Sequence, residues 1–198
     1  MYSKKEIILE TAFVLFTKYG FQCISMDNIA NKCGVSKRTI YKHFRNKVDI
    51  INQIIEIKAS EFIHKLEGIT FSSENAVIEL NQFFKFYNEI IPSFSPTLIR
   101  DFKHYNLTFY LECSKINKKS ILPFLTKNIE RGQQEGLYKK ELNTDEIGES
   151  VLNMLGLLFT DDALLNFENS YSILNFFANL LINRLVSTKG MQHLNALH

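Results

Sequence analysis

The sequence predicts an all-α chain, on three observations. Apolar residues recur three and four positions apart in its long segments. No hairpin dipeptide stands between two alternating runs. The three prolines all fall between Pro92 and Pro123, which leaves both ends free for uninterrupted helices. The expected organisation is an N-terminal three-helix bundle holding a helix-turn-helix, residues 1–48, followed by a helical C-terminal domain, residues 49–198.

The elements follow in order. Ile8, Leu9, Ala12, Phe13 and Phe16 make the apolar face of a helix from Lys4 to Tyr19, with Gly20 as its stop. Ser25 caps a short helix whose face is Met26, Ile29, Ala30 and Cys33, ended by Gly34. Ser36 caps a third, Lys37 to Phe44, with Ile40 and Phe44 inward. A fourth helix starts at Asn46 and runs to about Leu66, too long to serve the small bundle alone; Gly68 to Ser73 breaks its pattern. Helices then follow over Ala76–Ile91, Leu98–Lys115, Ile121–Glu135, Asp145–Phe159 and Tyr171–Val186, with Pro92 and Pro96 as breaks. The tail from Ser187 has little pattern and reads as frayed.

Composition narrows the function classes. Seventeen Phe and no Trp make the core phenylalanine-rich. The net charge of +2 hides an asymmetry: residues 1–58 carry ten Lys or Arg against five Asp or Glu, and the remainder is mildly acidic. A basic first segment suits a polyanion partner. Cys23, Cys33 and Cys113 lack metal-type spacing and read as buried, reduced thiols. His64 and His104 have no ligand at metal spacing, so neither metal nor cofactor is expected. Glu6 and Glu10 interrupt any signal-peptide core, and no apolar run reaches membrane length, which implies a cytoplasmic chain with no membrane partner.

The chemistry lies at residues 34–47, GVSKRTIYKHFRNK. Gly34 permits a tight turn, Val35 seats it, and the second helix of such a unit enters the major groove of DNA. With Ile40 and Phe44 buried, Lys37, Arg38, Thr39, Tyr41, Lys42 and His43 face outward. Lys and Arg suit guanine edges or phosphate, Thr a base, Tyr a phosphate.

The run from Ile7 to Ile55 closely resembles the DNA-binding region of the TetR family of bacterial transcriptional repressors. The helix ending Phe16-Thr17-Lys18-Tyr19-Gly20-Phe21, the Ile29-Ala30 pair, Gly34-Val35-Ser36, Tyr41, Phe44 and Lys47 match the family pattern in order and spacing. The resemblance implies that Ser25 touches a phosphate, that Lys37, Arg38 and Thr39 face bases or nearby phosphates, and that Tyr41 and His43 grip the backbone. It assigns Lys47 a phosphate at the start of the fourth helix. Members often have a small residue where this chain has Arg38, so operator preference does not transfer.

In that family the C-terminal region senses ligand and dimerises. Leu125 to Leu137, with Glu130-Arg131-Gly132 and Glu135-Gly136-Leu137, is similar to a helix end the family shows. Phe83, Phe86, Tyr87, Phe102, Tyr105, Phe109, Phe124 and Met154 are candidates to line a ligand cavity, with Asn106, Cys113 and Asn128 as polar groups to orient its occupant; a packed core is the alternative. Leu152, Leu155, Leu158, Phe159, Phe176, Phe177, Leu180, Leu181 and Arg184, on the last two long helices, are the candidate dimer residues. The expectation is a homodimeric repressor, leaving a palindromic operator when an unknown small-molecule effector binds. A ligand-independent DNA-binding architectural protein with a filled C-terminal core is the alternative. No G-x-S-x-G, H-E-x-x-H or phosphate-binding loop points to an enzyme.

Overall fold

The computed structural model describes residues 3–90, 95–105, 109–157 and 167–195. The chain divides into two compact units: Met1–Glu61 with Ser93–Ser114, and Phe62–Pro92 with Lys115–His198. The sequence expectation drew a boundary at residue 48. In the structure the first unit also takes in residues 49–61 and the returning segment 93–114.

In the first unit, α1 (Lys4–Tyr19) opens on Ser3, whose Oγ accepts from the Glu6 N–H at 3.2 Å while Glu6 accepts from the Ser3 N–H at 2.7 Å. That reciprocal pair satisfies two donors the helix cannot. Its buried face is Ile8, Leu9, Ala12, Leu15 and Phe16, close to the expected stripe. Next come α2 (Met26–Cys33), α3 (Lys37–His43) and α4 (Lys47–Ser72). The core closes on Ile29, Ile40, Phe44, Ile50, Ile51 and Ile54, together with Leu98 and Phe102 of α6 (Pro96–Tyr105). Pro96 does not break a helix here. It stands at the first helical position, where its missing N–H is harmless, and Ser95 Oγ accepts from the Leu98 N–H.

The fourth helix runs six residues past Leu66, straight through Gly68, because glycine lowers helix propensity without forbidding it. In the second unit α5 (Ala76–Ile90) packs on α8 (Leu122–Gln134) and on α10 (Phe167–Leu185), and α8 packs on α9 (Thr144–Leu157). Helix α7 (Phe109–Ile116) leads into α8 through a wider π-helical turn, Asn117–Ile121. The predicted frayed tail is instead α11 (Thr188–Asn195). It docks by Leu194, and its Ser187 Oγ donates to Gly136 O while Ser187 N–H donates to Leu137 O. Residues before the tail supply these partners, which is why no local pattern foretold it. Among the described residues the only β pairing is an isolated bridge, Tyr138 with Val186.

A buried polar cluster fastens this second core. Glu79, 3% exposed, accepts from Asn128 Nδ2 at 2.9 Å and faces the Arg131 guanidinium at 3.3 Å. Arg131 also pairs with Glu135 and donates to Ser73 O, and Glu135 accepts from the Ala76 N–H at the start of α5. Tyr138 donates to Ala76 O and approaches Asn128 Oδ1 at 3.2 Å. A buried carboxylate is tolerated when its lone pairs are filled in this way.

Candidate nucleic-acid interface

The reading unit is assembled by three local devices. Ser25 and Asn28 cap α2 reciprocally, Ser25 Oγ accepting from the Asn28 N–H at 3.1 Å and Asn28 Oδ1 from the Ser25 N–H at 2.8 Å. Gly34 then adopts φ 65° and ψ 31°, while its N–H donates to Asn31 O and the Val35 N–H to Ala30 O. These two bonds end α2 in the left-handed turn that favours glycine. A methyl at Gly34 would meet nothing within 4 Å, so the requirement is conformational and not spatial. Ser36 caps α3, accepting from the Thr39 N–H at 3.1 Å.

Helix α3 buries Ile40, with Phe44 just beyond its end. Arg38, Tyr41, Lys42 and His43 are exposed, and Thr39 is half-buried with its hydroxyl 2.9 Å from Ser36 Oγ. Lys37 is exposed and ion-paired to Asp27 at 2.7 Å. The hydrogen bond that Lys37 donates to the Asp27 carboxylate raises the Lys37 pKa above its usual lysine value. Seven of the eight expected DNA residues thus lie on α3 or cap α2 with their side chains at least partly accessible.

Lys47 is engaged elsewhere. Its Nζ donates to the carbonyls of Phe21 at 2.6 Å and Ile24 at 2.7 Å, with Gln22 O at 3.3 Å, and it lies 4.3 Å from the centre of the Phe21 ring. Burial lowers its pKa, against the opposing field of Asp101. In this conformation the ammonium closes the α1–α2 turn, in place of the phosphate contact expected for it. Asp101, from α6, completes that turn by accepting from the N–H groups of Phe21 at 2.5 Å and Gln22 at 3.3 Å. Gly20, at φ 83°, lets this approach occur, since a side chain there would press on Thr97 and Asp101. Neither Asp101 nor the Asp27 pairing was foreseen; eighty residues separate Asp101 from its partners and leave no local signal.

The other expected sites divide. Phe83, Tyr87, Phe124 and Asn128 are buried in the second core, with Phe86 and Met154 packed against it. Phe102 and Cys113 instead belong to the first unit's core, because α6 and α7 return to it. Tyr105, Asn106 and Phe109 have side chains outside those described. Asn128, expected to orient a ligand, has its amide filled by Ala76, Glu79 and Tyr138. Asn88 carries no sequence signal of its own: 7% exposed, it donates to Asn175 at 2.7 Å while its Oδ1 has no donor among the described residues. Of the candidate dimer residues, Leu155 is core, and Leu152 and Leu181 pack against the core. Phe176, Phe177, Leu180 and Arg184 are exposed, joined by Ile173 and Leu157, which sequence reasoning passed over. Leu158 and Phe159 lie outside the described residues. Cys23 is exposed, against the expectation of a buried thiol, while Cys33 and Cys113 are half-buried.

Residues 8–54 match the profile of the bacterial regulatory proteins of the tetR family. The chain is 35% identical over 69 residues to YerO, an uncharacterized HTH-type transcriptional regulator of Bacillus subtilis, a match covering 35% of this chain and 24% of YerO. It is 34% identical over 65 residues to the HTH-type transcriptional regulator SAB2452 of Staphylococcus aureus, covering 33% of this chain and 35% of that protein. The matched segment thus spans about a quarter to a third of these curated relatives. Along nearly the whole chain the fold is similar to the transcriptional regulator FadR from Bacillus subtilis, solved with stearoyl-CoA (TM-score 0.67, 20% identity, 90% of this chain and 98% of that one). It is also similar to a transcriptional regulator from Cytophaga hutchinsonii (TM-score 0.70, 19% identity, 92% and 98%). At such identities the likeness is one of fold. The capped α2, glycine turn and short basic α3 all lie inside the segment, residues 8–54, that is similar to the tetR family of bacterial regulatory proteins.

Proposed function

We propose that this chain is a cytoplasmic, homodimeric transcriptional regulator that reads double-stranded DNA with α3. Acting as a repressor, it leaves a palindromic operator when a small apolar or aromatic ligand binds its C-terminal helices. The observation that carries the reading is the division of α3, with Ile40 and Phe44 buried and Arg38, Tyr41, Lys42 and His43 exposed. A helix held from one side in this way offers the other to a groove. Tyr41→Ala should weaken binding to all duplexes, whereas Arg38→Ala should relax sequence preference, each by about 1–3 kcal/mol. Mobility shifts with a duplex selected from a randomised pool and with a scrambled duplex test both. Equal binding of both variants and the parent to both duplexes would sink the assignment.

Two observations support a ligand: the phenylalanine-rich second core, and the undonated Asn88 oxygen within it, which an incoming hydroxyl or amide would satisfy. The FadR relative was solved with stearoyl-CoA, which makes long-chain acyl compounds the first probes. The ligand-independent alternative has its own support. Phe83 lies 5.0 Å from Phe124 and 5.7 Å from Tyr87, centre to centre, distances at which the rings fill space against one another. Calorimetry with acyl-CoA and aromatic probes, on the parent and on Asn88→Leu, separates the two readings. Binding lost in the variant favours the effector; no heat from any probe favours the filled core.

A further inference from the structure

Lys37 opens α3, whose first turn holds no acidic residue, so the positive end of that helix gives the ammonium no support. Support comes from Asp27, near the start of α2, at 2.7 Å across the Gly34 turn. Both side chains keep more than half of their surface exposed, so the pair is open to water and to an approaching duplex. Among the described residues Arg38, Lys42 and His43 make no such pair. The reading helix therefore carries one cation restrained by the Asp27 carboxylate and several unrestrained ones.

Resting on the DNA-binding reading above, we propose that Asp27 is a specificity-determining residue: it holds Lys37 back from phosphates and releases it only where an operator offers a better acceptor. On arbitrary DNA the Lys37 ammonium stays on the carboxylate, so one fewer phosphate is neutralised and one fewer counterion released. At the operator a guanine edge or a fixed phosphate replaces the carboxylate. Asp27 adds little to stability as an exposed partner, and its effect falls on the ratio of operator to non-operator binding.

The test uses the full chain, a random-sequence duplex, and the duplex the parent selects from a randomised pool, each titrated over a range of salt. Asp27→Asn should bind the random duplex about five- to tenfold more tightly near 0.1 M salt and steepen its salt slope by about one. The selected duplex should gain less, so discrimination narrows. In the Asp27→Asn, Lys37→Ala double variant the gain should vanish. If Asp27→Asn leaves the random-duplex slope unchanged, or if its gain survives undiminished without Lys37, the proposed restraint is wrong and Asp27 merely repels DNA. Those outcomes leave DNA binding itself standing. A parent that binds neither duplex, with folding verified by circular dichroism, overturns the DNA-binding reading and this proposal together.

Discussion

At Gly132 a methyl group would fall inside the ring of Tyr138, the residue that donates to Ala76 O and abuts Asn128. Gly132→Ala should therefore expel the ring and break the buried polar cluster, costing about 3 kcal/mol in urea unfolding. Tyr138→Phe, which keeps the ring and removes only the hydroxyl, should cost about 1–2 kcal/mol. The thiols give a second contrast. Burial pushes the Cys113 pKa up from 9.0 to about 12, whereas Cys23 lies exposed in the α1–α2 turn. Iodoacetamide should label the exposed Cys23 first and the half-buried, high-pKa Cys113 more slowly. The pH dependence has a definite sign. Between 9.0 and about 12 the unfolded chain loses the Cys113 proton and the folded chain keeps it, so folded stability from this group falls as pH rises through that window. Cys113→Ala should lose less stability than the parent over that range, measured by urea midpoints.

Among the elements, α2 and α3 were legible in the sequence because every device that forms them is local. Ser25, Gly34 and Ser36 act on residues within five positions, and Ile29, Ile40 and Phe44 are buried as their spacing foretold. The α1–α2 turn was not legible. It is held from outside by Lys47 on its carbonyls and Asp101 on its N–H groups, a pairing that only the completed fold brings together. The same limit hid α11 and sent Phe102 and Cys113 to the wrong core. Asp101→Ala should remove the carboxylate that accepts from the part-buried Phe21 N–H and the exposed Gln22 N–H, and lower stability by about 1–3 kcal/mol. Because Asp101 is not a proposed phosphate contact, DNA affinity should fall in that variant with its salt slope unchanged, as read from mobility shifts over a salt series.

For the whole molecule, the exposed apolar residues of α10 matter most. Ile173, Phe176, Phe177 and Leu180 recur at helical spacing on the solvent side while Leu174, Ala178 and Ile182 face the core. A row of that kind suits a second copy, since a two-helix seam buries the same residues from both sides. If the proposed homodimer forms through this row, Phe176→Glu with Leu180→Glu should turn it into monomers in analytical ultracentrifugation. It should also weaken operator binding far more than any single-site loss on α3, because two linked reading heads become one. This surface is partly legible in the sequence: Phe176, Phe177 and Leu180 are among the expected dimer residues and Ile173 is not, and which candidates the core claims depends on packing that no single helix encodes.

The return of α6 to the first core also bears on how the chain is made. Residues 8–54 carry the family's signature, yet Leu98 and Phe102 are fully or almost fully buried in the same cluster as Ile29 and Ile40. During synthesis that core stays open on one side until residue 102 has left the ribosome. A nascent chain halted at Glu61 would expose an apolar face to chaperones, however complete its DNA-reading motif. The smallest separately expressible head is therefore longer than the motif that identifies it.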